Sequence, residues 1–179
     1  MPTFFHGDHA STFISGSWLR GLRNFDLQRA YKLILKNATV PGRGGRPYLD
    51  EYMERGWIAE KDTVNVPTWD EYKGAVTKTQ EYAYDDYAVG LGDEYNYELM
   101  MKRSENYKTL FDSSTGFWRG KIDDGSWIKD FDPYYPYYQY MYREANAWNA
   151  LFFAPHDPEG MIKLYPSKEA VELKLDSLF

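Results

Sequence analysis

The sequence lacks several features, and each absence excludes a class of protein or of chemistry. It contains no cysteine, which excludes disulfides, thiol catalysis and cysteine-bound zinc. Its 21 basic and 27 acidic residues give a net charge of −6, and no Lys/Arg-rich run offers the basic surface that a nucleic-acid partner needs. No apolar stretch approaches the roughly 20 residues that span a bilayer. The N-terminus has no basic segment before an apolar one, so no signal peptide is predicted.

Aromatic residues are abundant instead. The chain has 17 Tyr, 10 Phe and 6 Trp among 179 residues. This excess of Tyr indicates amphipathic surfaces that pack through rings and also exchange hydrogen bonds. The length suits one domain with a single core.

The apolar periodicity is helical along most of the chain. It predicts helices over 9–22, 26–38, 47–55, 69–89, 94–111, 144–153 and 168–178, with a further short one from Asp157-Pro158. Asp26 and Ser167 are suited to cap helices, and Thr68 with Glu71 forms a capping box. The turn-rich segment 112–140 predicts a long ordered loop rather than strands. There is no alternation of strand and helix, so the predicted fold class is all-α.

Two acidic motifs leave alternatives open. Asp8 and His9 in "GDHA" precede a helix and form either a helix cap with a surface imidazole or part of a site. In "EYAYDDY", Glu81 and Asp85 share a helix face, with Asp86 beside them. Such carboxylates either bind a cation or raise one pKa, or they form a solvated face.

No metal site is predicted from spacing. His6, His9 and His156 are not spaced as zinc ligands. The motif "DDGSW" lacks the acidic spacing of a calcium-binding EF-hand loop, and "GRGGRP" is not a phosphate loop.

The segment "YREANAWNALFFAPHD" carries the strongest candidate site. Glu144 is predicted to begin a helix whose next turn holds Asn146, Trp148 and Asn149. Amides and an indole beside a carboxyl group suit a sugar subsite, because they bind hydroxyl groups and the apolar face of the ring. An acid enclosed by rings holds its proton near neutral pH, as a general acid in glycoside hydrolysis must; the rings expected around it are Tyr140, Tyr142, Trp148 and Phe152. The alternative is an acid placed in the first helical turn by the helix dipole.

The same segment resembles the EGNAWQYTWFVPHD-type motif of glycoside hydrolase family 92, calcium-dependent exo-acting α-mannosidases. Further blocks resemble that family's catalytic domain in the same order: "GDHA", "FDLQRAYKLILKNA", "GRPYLDEYMERGWI", "VTKTQEYAYDDYAV", "YNYELMMKRSENYKTLFDSSTGFWRGK" and "KEAVELKLDSLF". The resemblance covers nearly the whole chain.

The resemblance implies an (α/α)6 toroid and an inverting reaction that releases mannose from α-mannosides or N-glycan-type oligosaccharides. It places the general acid on Glu144. Asp8 and His9 join Asn146, Trp148 and Asn149 as candidate substrate contacts. Members of the family are typically periplasmic, surface-bound or secreted.

The chain also departs from the family. Ala145 replaces the motif's Gly, and Asn149 replaces its Gln. The helix that follows "YAYDDYAV" is about two turns shorter, which predicts a gap in the toroid. Residues 1–179 are expected to be a central part of the catalytic domain, without the N-terminal β-sandwich. The HGNEPSHH-type and GNDDxGQM-type motifs, which hold the calcium ligands and the base, are also expected to lie outside it.

Three functions follow as alternatives. The chain is a glycosidase fragment that is inactive in isolation, or a non-catalytic carbohydrate-binding or scaffold remnant of such an enzyme. Another (α/α) hydrolase or lyase would keep the fold and change the sugar.

Overall fold

The structure, a computed structural model, describes residues 6–42, 44–61, 72–92, 94–137 and 140–179. Its α-helices are α1 (His9–Leu19), α2 (Leu27–Thr39), α3 (Leu49–Arg55), α4 (Ala75–Gly90), α5 (Tyr97–Ser104), α6 (Ala147–Ala150), α7 (Pro158–Ile162) and α8 (Lys168–Asp176). A 3-10 helix covers Asn106–Leu110, and two short strands, β1 (Phe111–Asp112) and β2 (Phe117–Trp118), pair antiparallel.

Several helix ends follow the predicted local chemistry. The Asp26 side chain accepts a hydrogen bond from the backbone N–H of Arg29, and Ser167 caps α8 in the same way. Asp157 caps α7 by accepting from Gly160. These short polar side chains satisfy N–H groups that have no partner inside the helix, so the predicted caps at Asp26 and Ser167 are confirmed.

Other predicted boundaries are wrong. Residues 72–74 are not helical, so α4 begins at Ala75 rather than near residue 69. The capping box of Thr68 and Glu71 lies outside the described residues. The helix predicted over 94–111 divides into α5 and the 3-10 helix, and the helix predicted over 144–153 contracts to α6.

Helix α4 is the centre of the fold. It packs against α1, α2, α5 and the 3-10 helix, and nearly all of its residues are buried. The buried set includes the polar side chains of Lys78, Thr79, Gln80, Glu81, Asp85 and Asp86. A helix with so many enclosed polar groups needs internal partners for them, and this need shapes the site below.

Hydrogen bonds of aromatic residues connect the described part of the turn-rich segment to the rest of the fold. The Trp118 indole N–H donates to the Tyr107 carbonyl at 2.9 Å, and the Tyr142 hydroxyl donates to the Trp118 carbonyl. The backbone N–H of Ala145 donates to the Tyr137 carbonyl at 3.0 Å. The β1–β2 pair lies at the start of this segment, so the prediction of a loop rather than strands is wrong there.

Among the described residues the named strands contain two residues each, and the helix-rich architecture agrees with the predicted all-α class. Closure of the helices into a toroid stays a prediction. In the described part of the chain, no helix is both long and apolar enough to cross a membrane.

Candidate active site

The two aspartates of α4 enter a buried charge network. Asp86 forms an ion pair with Arg46, with Nη1 and Oδ1 2.5 Å apart, and another with Arg103, with Nε and Oδ2 2.8 Å apart. The Tyr52 hydroxyl donates to Asp86 at 3.2 Å. Two cations and a hydroxyl group therefore stabilise one carboxylate that has no access to water.

Asp8 joins the same network from the start of α1. Its carboxylate accepts hydrogen bonds from Ser11 at 2.7 Å and Asn37 at 3.2 Å, and it lies 3.5 Å from Arg46 Nε. Its backbone N–H donates to the Asp85 carboxyl group. Asp8 occupies the N-cap position of α1 without a side-chain cap bond, so its role is not that of a simple helix cap. Its predicted contact with substrate stays a prediction.

The solvated-face interpretation of "EYAYDDY" is wrong. Asp85 and Asp86 are 0% exposed and Glu81 is 9% exposed, because the N-terminal segment and Arg46 cover this side of α4. Burial raises the pKa of Asp85 well above its usual value, with Arg46 acting in the opposite direction. Burial also raises the pKa of Glu81 to about 7. Burial and the direction of both pKa shifts favour the alternative of perturbed carboxyl groups.

A pocket of about 150 Å³ opens where the N-terminal segment, α4 and the segment around α6 meet. Its lining combines titratable, amide and apolar side chains: His6, Thr77, Gln80, Glu81, Arg143, Ala145, Asn149, Ala150 and Phe153. His9 is exposed beside it, with Nδ1 3.7 Å from Glu81 Oε2. The Gln80 side-chain amide donates to the carbonyls of Ala150 and Phe153, both at 3.4 Å, which ties the α6 region to α4.

Glu144 lies next to two lining residues, Arg143 and Ala145, but differs from the prediction in two respects. It precedes α6 and adopts a left-handed backbone conformation with φ of 48°. Its side chain is exposed rather than enclosed by rings. The expected rings pack into the aromatic core, where Tyr140 and Tyr142 are buried.

The physical reason is that these rings have stronger partners inside the fold. The Tyr142 hydroxyl is bonded to the Trp118 carbonyl, and the Tyr140 ring packs 5.1 Å from that of Tyr72. The left-handed turn at Glu144 then separates the carboxylate from them. Because α6 has no acidic residue in its first turn, the helix-dipole alternative for Glu144 is also wrong.

The predicted subsite residues have different environments. Asn146 and Asn149 form a reciprocal capping box for α6, with two hydrogen bonds of 3.0 Å. Trp148 packs edge-on against Phe117 at 4.9 Å. Of these residues, Asn149 lines the pocket, while Trp148 lies on the side of α6 that faces the core.

His6 lines the pocket on its N-terminal side, and its pKa is shifted. Burial lowers the pKa of His6, His9 lowers it further, and Glu144 acts in the opposite direction. Sequence reasoning considered His6 only as a zinc ligand, and it missed Thr77 and Gln80 as pocket residues. The signal was available, because Thr77, Gln80 and Glu81 are spaced three and four apart along one helical face.

The comparisons with known proteins decide the family. The model of the glycosyl hydrolase family 92 catalytic domain matches residues 3–179. The chain belongs to glycosyl hydrolase family 92. A protein of Arthroderma benhamiae described as an uncharacterized secreted glycosidase is 27% identical over 207 aligned positions, covering 96% of this chain and 26% of that protein.

Solved structures of the family agree with this membership. The family 92 α-mannosidase BT3965 of Bacteroides thetaiotaomicron is 29% identical with a TM-score of 0.81, over 97% of this chain and 22% of that one. The inverting mannosidase BT2199 of the same organism, 23% identical with a TM-score of 0.82 over 100% of this chain and 24% of that one, shows the fold alone. The family 92 chain described here thus spans about a quarter of the length of these relatives.

The family 92 resemblance predicts calcium, with ligands outside this chain. In the described ranges, no three His, Asp or Glu side chains are arranged to hold a metal ion. No calcium ligand is assigned among the described residues, and the position of the calcium ligands stays a prediction.

Proposed function

We propose that this chain contributes the general acid and part of the sugar subsite to an enzyme that hydrolyses α-mannosides. The observation that carries the proposal is the position of Glu144, an exposed carboxyl group in a left-handed turn beside the pocket. Non-glycine residues in this conformation cost free energy and concentrate at functional sites. A solved relative, BT3965, is an α-mannosidase with a structure in complex with mannoimidazole, which supports mannosides as substrates.

The proposed chemistry is proton transfer from Glu144 to the departing glycosidic oxygen. Inversion also needs a carboxylate base about 6.5–9.5 Å from the acid, with room for a water molecule on the opposite ring face. That base is predicted to lie outside this chain, as are the calcium ligands. The Glu144 side chain is exposed, and in such an enzyme other parts of the catalytic domain would cover it and complete the site.

The proposed substrate contacts come from two sides of the pocket. Asn149 lines the pocket and supplies an amide group. Asn146 and Trp148 do not line the pocket, and both stay predicted contacts from the α6 region. On the N-terminal side, His9 is exposed near Glu81. Asp8 is buried in the Arg46 network, and its contact with substrate stays a prediction. N-glycan-type oligosaccharides remain the proposed natural source of the mannoside.

The test is Glu144→Gln in the longest natural form of the protein. Loss of a general acid removes most of kcat for a natural disaccharide and little for a dinitrophenyl mannoside, whose leaving group needs no proton. Substrate binding should persist. Equal slowing of both substrates, or full activity, would overturn the assignment of Glu144.

Binding without hydrolysis is the second candidate function, and one observation favours it. The Glu144 side chain is exposed and is not enclosed by rings. The described residues therefore do not supply the apolar surroundings that would keep its carboxyl group protonated. Retained affinity for mannosides with no turnover in the longest natural form would establish this function.

A further inference from the structure

We propose that Glu81 is a positioning residue of the pocket, and that its carboxyl group hydrogen-bonds a hydroxyl group of the bound sugar. The idea rests on the proposed function, since it requires that this pocket takes a sugar. It adds a contact from the middle of α4, a helix to which no substrate contact has been assigned.

The geometry of Glu81 singles it out among the lining residues. Its side chain lines the pocket, yet the residue is only 9% exposed. Its Oε2 atom is buried and has no hydrogen-bond partner in the described part of the chain. The nearby His9 Nδ1 lies 3.7 Å away, too far for a hydrogen bond.

An unpartnered buried oxygen is costly, and folded proteins seldom leave one without a ligand or water. The other carboxyl groups of α4 illustrate the difference. Asp86 is enclosed by Arg46 and Arg103. Asp85 accepts the backbone N–H of Asp8 at Oδ2, and its Oδ1, which has no hydrogen-bond partner among the described residues, does not line the pocket. Glu81 is the member of this acidic motif that faces the pocket.

The N-terminal segment closes one side of Glu81. A side-chain carbon at Gly7 would lie 2.7 Å from Glu81 Cβ and 3.3 Å from Oε2, so the absence of a side chain there lets the backbone pass close to the carboxyl group. This close approach holds Glu81 in place from the side opposite α4. A positioning residue needs such rigid support to direct a ligand.

The hydrogen-bonding capacity of a protonated Glu81 suits a neutral ligand that carries hydroxyl groups. Among the described residues, the titratable and charged groups that face Glu81 include His6 and His9 from the N-terminal segment, Asp85 on α4 and Arg143 before α6. Because burial raises the pKa of Glu81 to about 7, its carboxyl group carries a proton below that pH. A protonated carboxyl group both donates and accepts, as a sugar hydroxyl does.

The test measures binding of mannoimidazole and methyl α-mannoside by calorimetry, using the longest natural form of the protein. Glu81→Ala should weaken binding about tenfold, the usual effect of losing one buried hydrogen bond. Glu81→Gln should restore most of the affinity, because an amide also donates and accepts. The exposed Glu172→Gln is the matched control and should bind like wild type.

The pH profile separates positioning from a structural role. Wild-type affinity should fall as pH rises through about 7, and the fall attributable to Glu81 should disappear in Glu81→Gln, which does not ionise. Single deoxy analogues of methyl α-mannoside locate the contact. The analogue that lacks the contacted hydroxyl group should bind to wild type more weakly than methyl α-mannoside does. Glu81→Ala should bind this analogue and methyl α-mannoside with equal affinity.

Each outcome decides something. If wild type binds and Glu81→Ala binds equally well, Glu81 is not a positioning residue and the proposed function stands. If wild type binds neither ligand, both proposals are overturned. If Glu81→Ala does not fold, the Glu81→Gln profile decides, and an unchanged pH dependence overturns the role of Glu81.

Discussion

The Arg46 guanidinium group lies 2.5 Å from the Asp86 carboxylate, measured from Nη1 to Oδ1, and neither side chain is exposed. The pair joins the segment before α3 to α4, the helix that also carries Glu81. Arg103 and Tyr52 complete the shell around Asp86. The carboxylates of the acidic motif thus divide into a buried structural group and one that faces the pocket.

Removing one partner of this pair should strongly destabilise the fold. Asp86→Asn removes the counter-charge that Arg46 and Arg103 share and leaves Arg46 the longer contact with Asp8. Breaking a buried ion pair in this way costs about 3–5 kcal/mol in other proteins. Urea denaturation measures the free energy of unfolding. The control is Arg55→Ala, which breaks an ion pair with Asp123, whose side chain is 81% exposed, and should change stability little. Equal effects of the two substitutions would contradict the structural role of the buried pair.

Gly7→Ala should lower the melting temperature and weaken sugar binding. Its new methyl group would lie 2.7 Å from Glu81 Cβ and 2.8 Å from Asp85 Oδ2, so the N-terminal segment must shift away from α4. Gly16→Ala in α1 is the matched control. Its methyl group would approach only the flexible end of Arg20, at 3.2 Å, and should stabilise the helix by up to about 1 kcal/mol. A harmless Gly7→Ala would show that the close approach is not required.

The free energy of unfolding should fall between pH 4.5 and about 7 because of Glu81. The pKa of this carboxyl group is raised from 4.5 to about 7 by burial, so the folded state binds its proton more tightly than the unfolded state. The resulting stabilisation is complete below pH 4.5 and is lost as pH rises through 7, a change of up to about 3 kcal/mol. Denaturation curves at several pH values should show a smaller decline for Glu81→Gln.

Lys78 should have the opposite effect at higher pH. Burial lowers its pKa from 10.5 to about 7, and Arg143 adds to the decrease. The folded state therefore releases this proton more readily than the unfolded state, and the free energy of unfolding should rise between pH 7 and 10.5. Lys78→Met should remove that rise. A wild-type profile that is flat in this range would contradict the burial of a neutral lysine.

The isolated 179 residues should show no turnover of an aryl α-mannoside, with or without calcium. Inversion needs a base that activates water opposite the acid, and the resemblance places that base outside this chain. Mass spectrometry of the pure protein and a chromogenic assay check the result. Measurable turnover that is lost in Glu144→Gln would mean that a base lies within these residues.

Local chemistry explains which features could be predicted from the sequence. The caps at Asp26 and Ser167 depend on a side chain and an N–H group three residues later, so they follow from spacing alone. The helical periodicity of α2 has the same local origin. The order of the blocks along the whole chain likewise identified the family.

The environment of each acid depended on the tertiary structure. Glu81, Asp85 and Asp86 look like a solvated face on an isolated helix, and only the packing of distant segments buries them. Glu144 looks enclosed by rings in the sequence, but Tyr140 and Tyr142 find partners in the core and a left-handed turn leaves the acid exposed. Sequence spacing determines which groups are neighbours along a helix. Desolvation and ion pairing depend on residues that are far apart in the chain, such as Arg46 and Asp86. Only the tertiary structure brings these residues together.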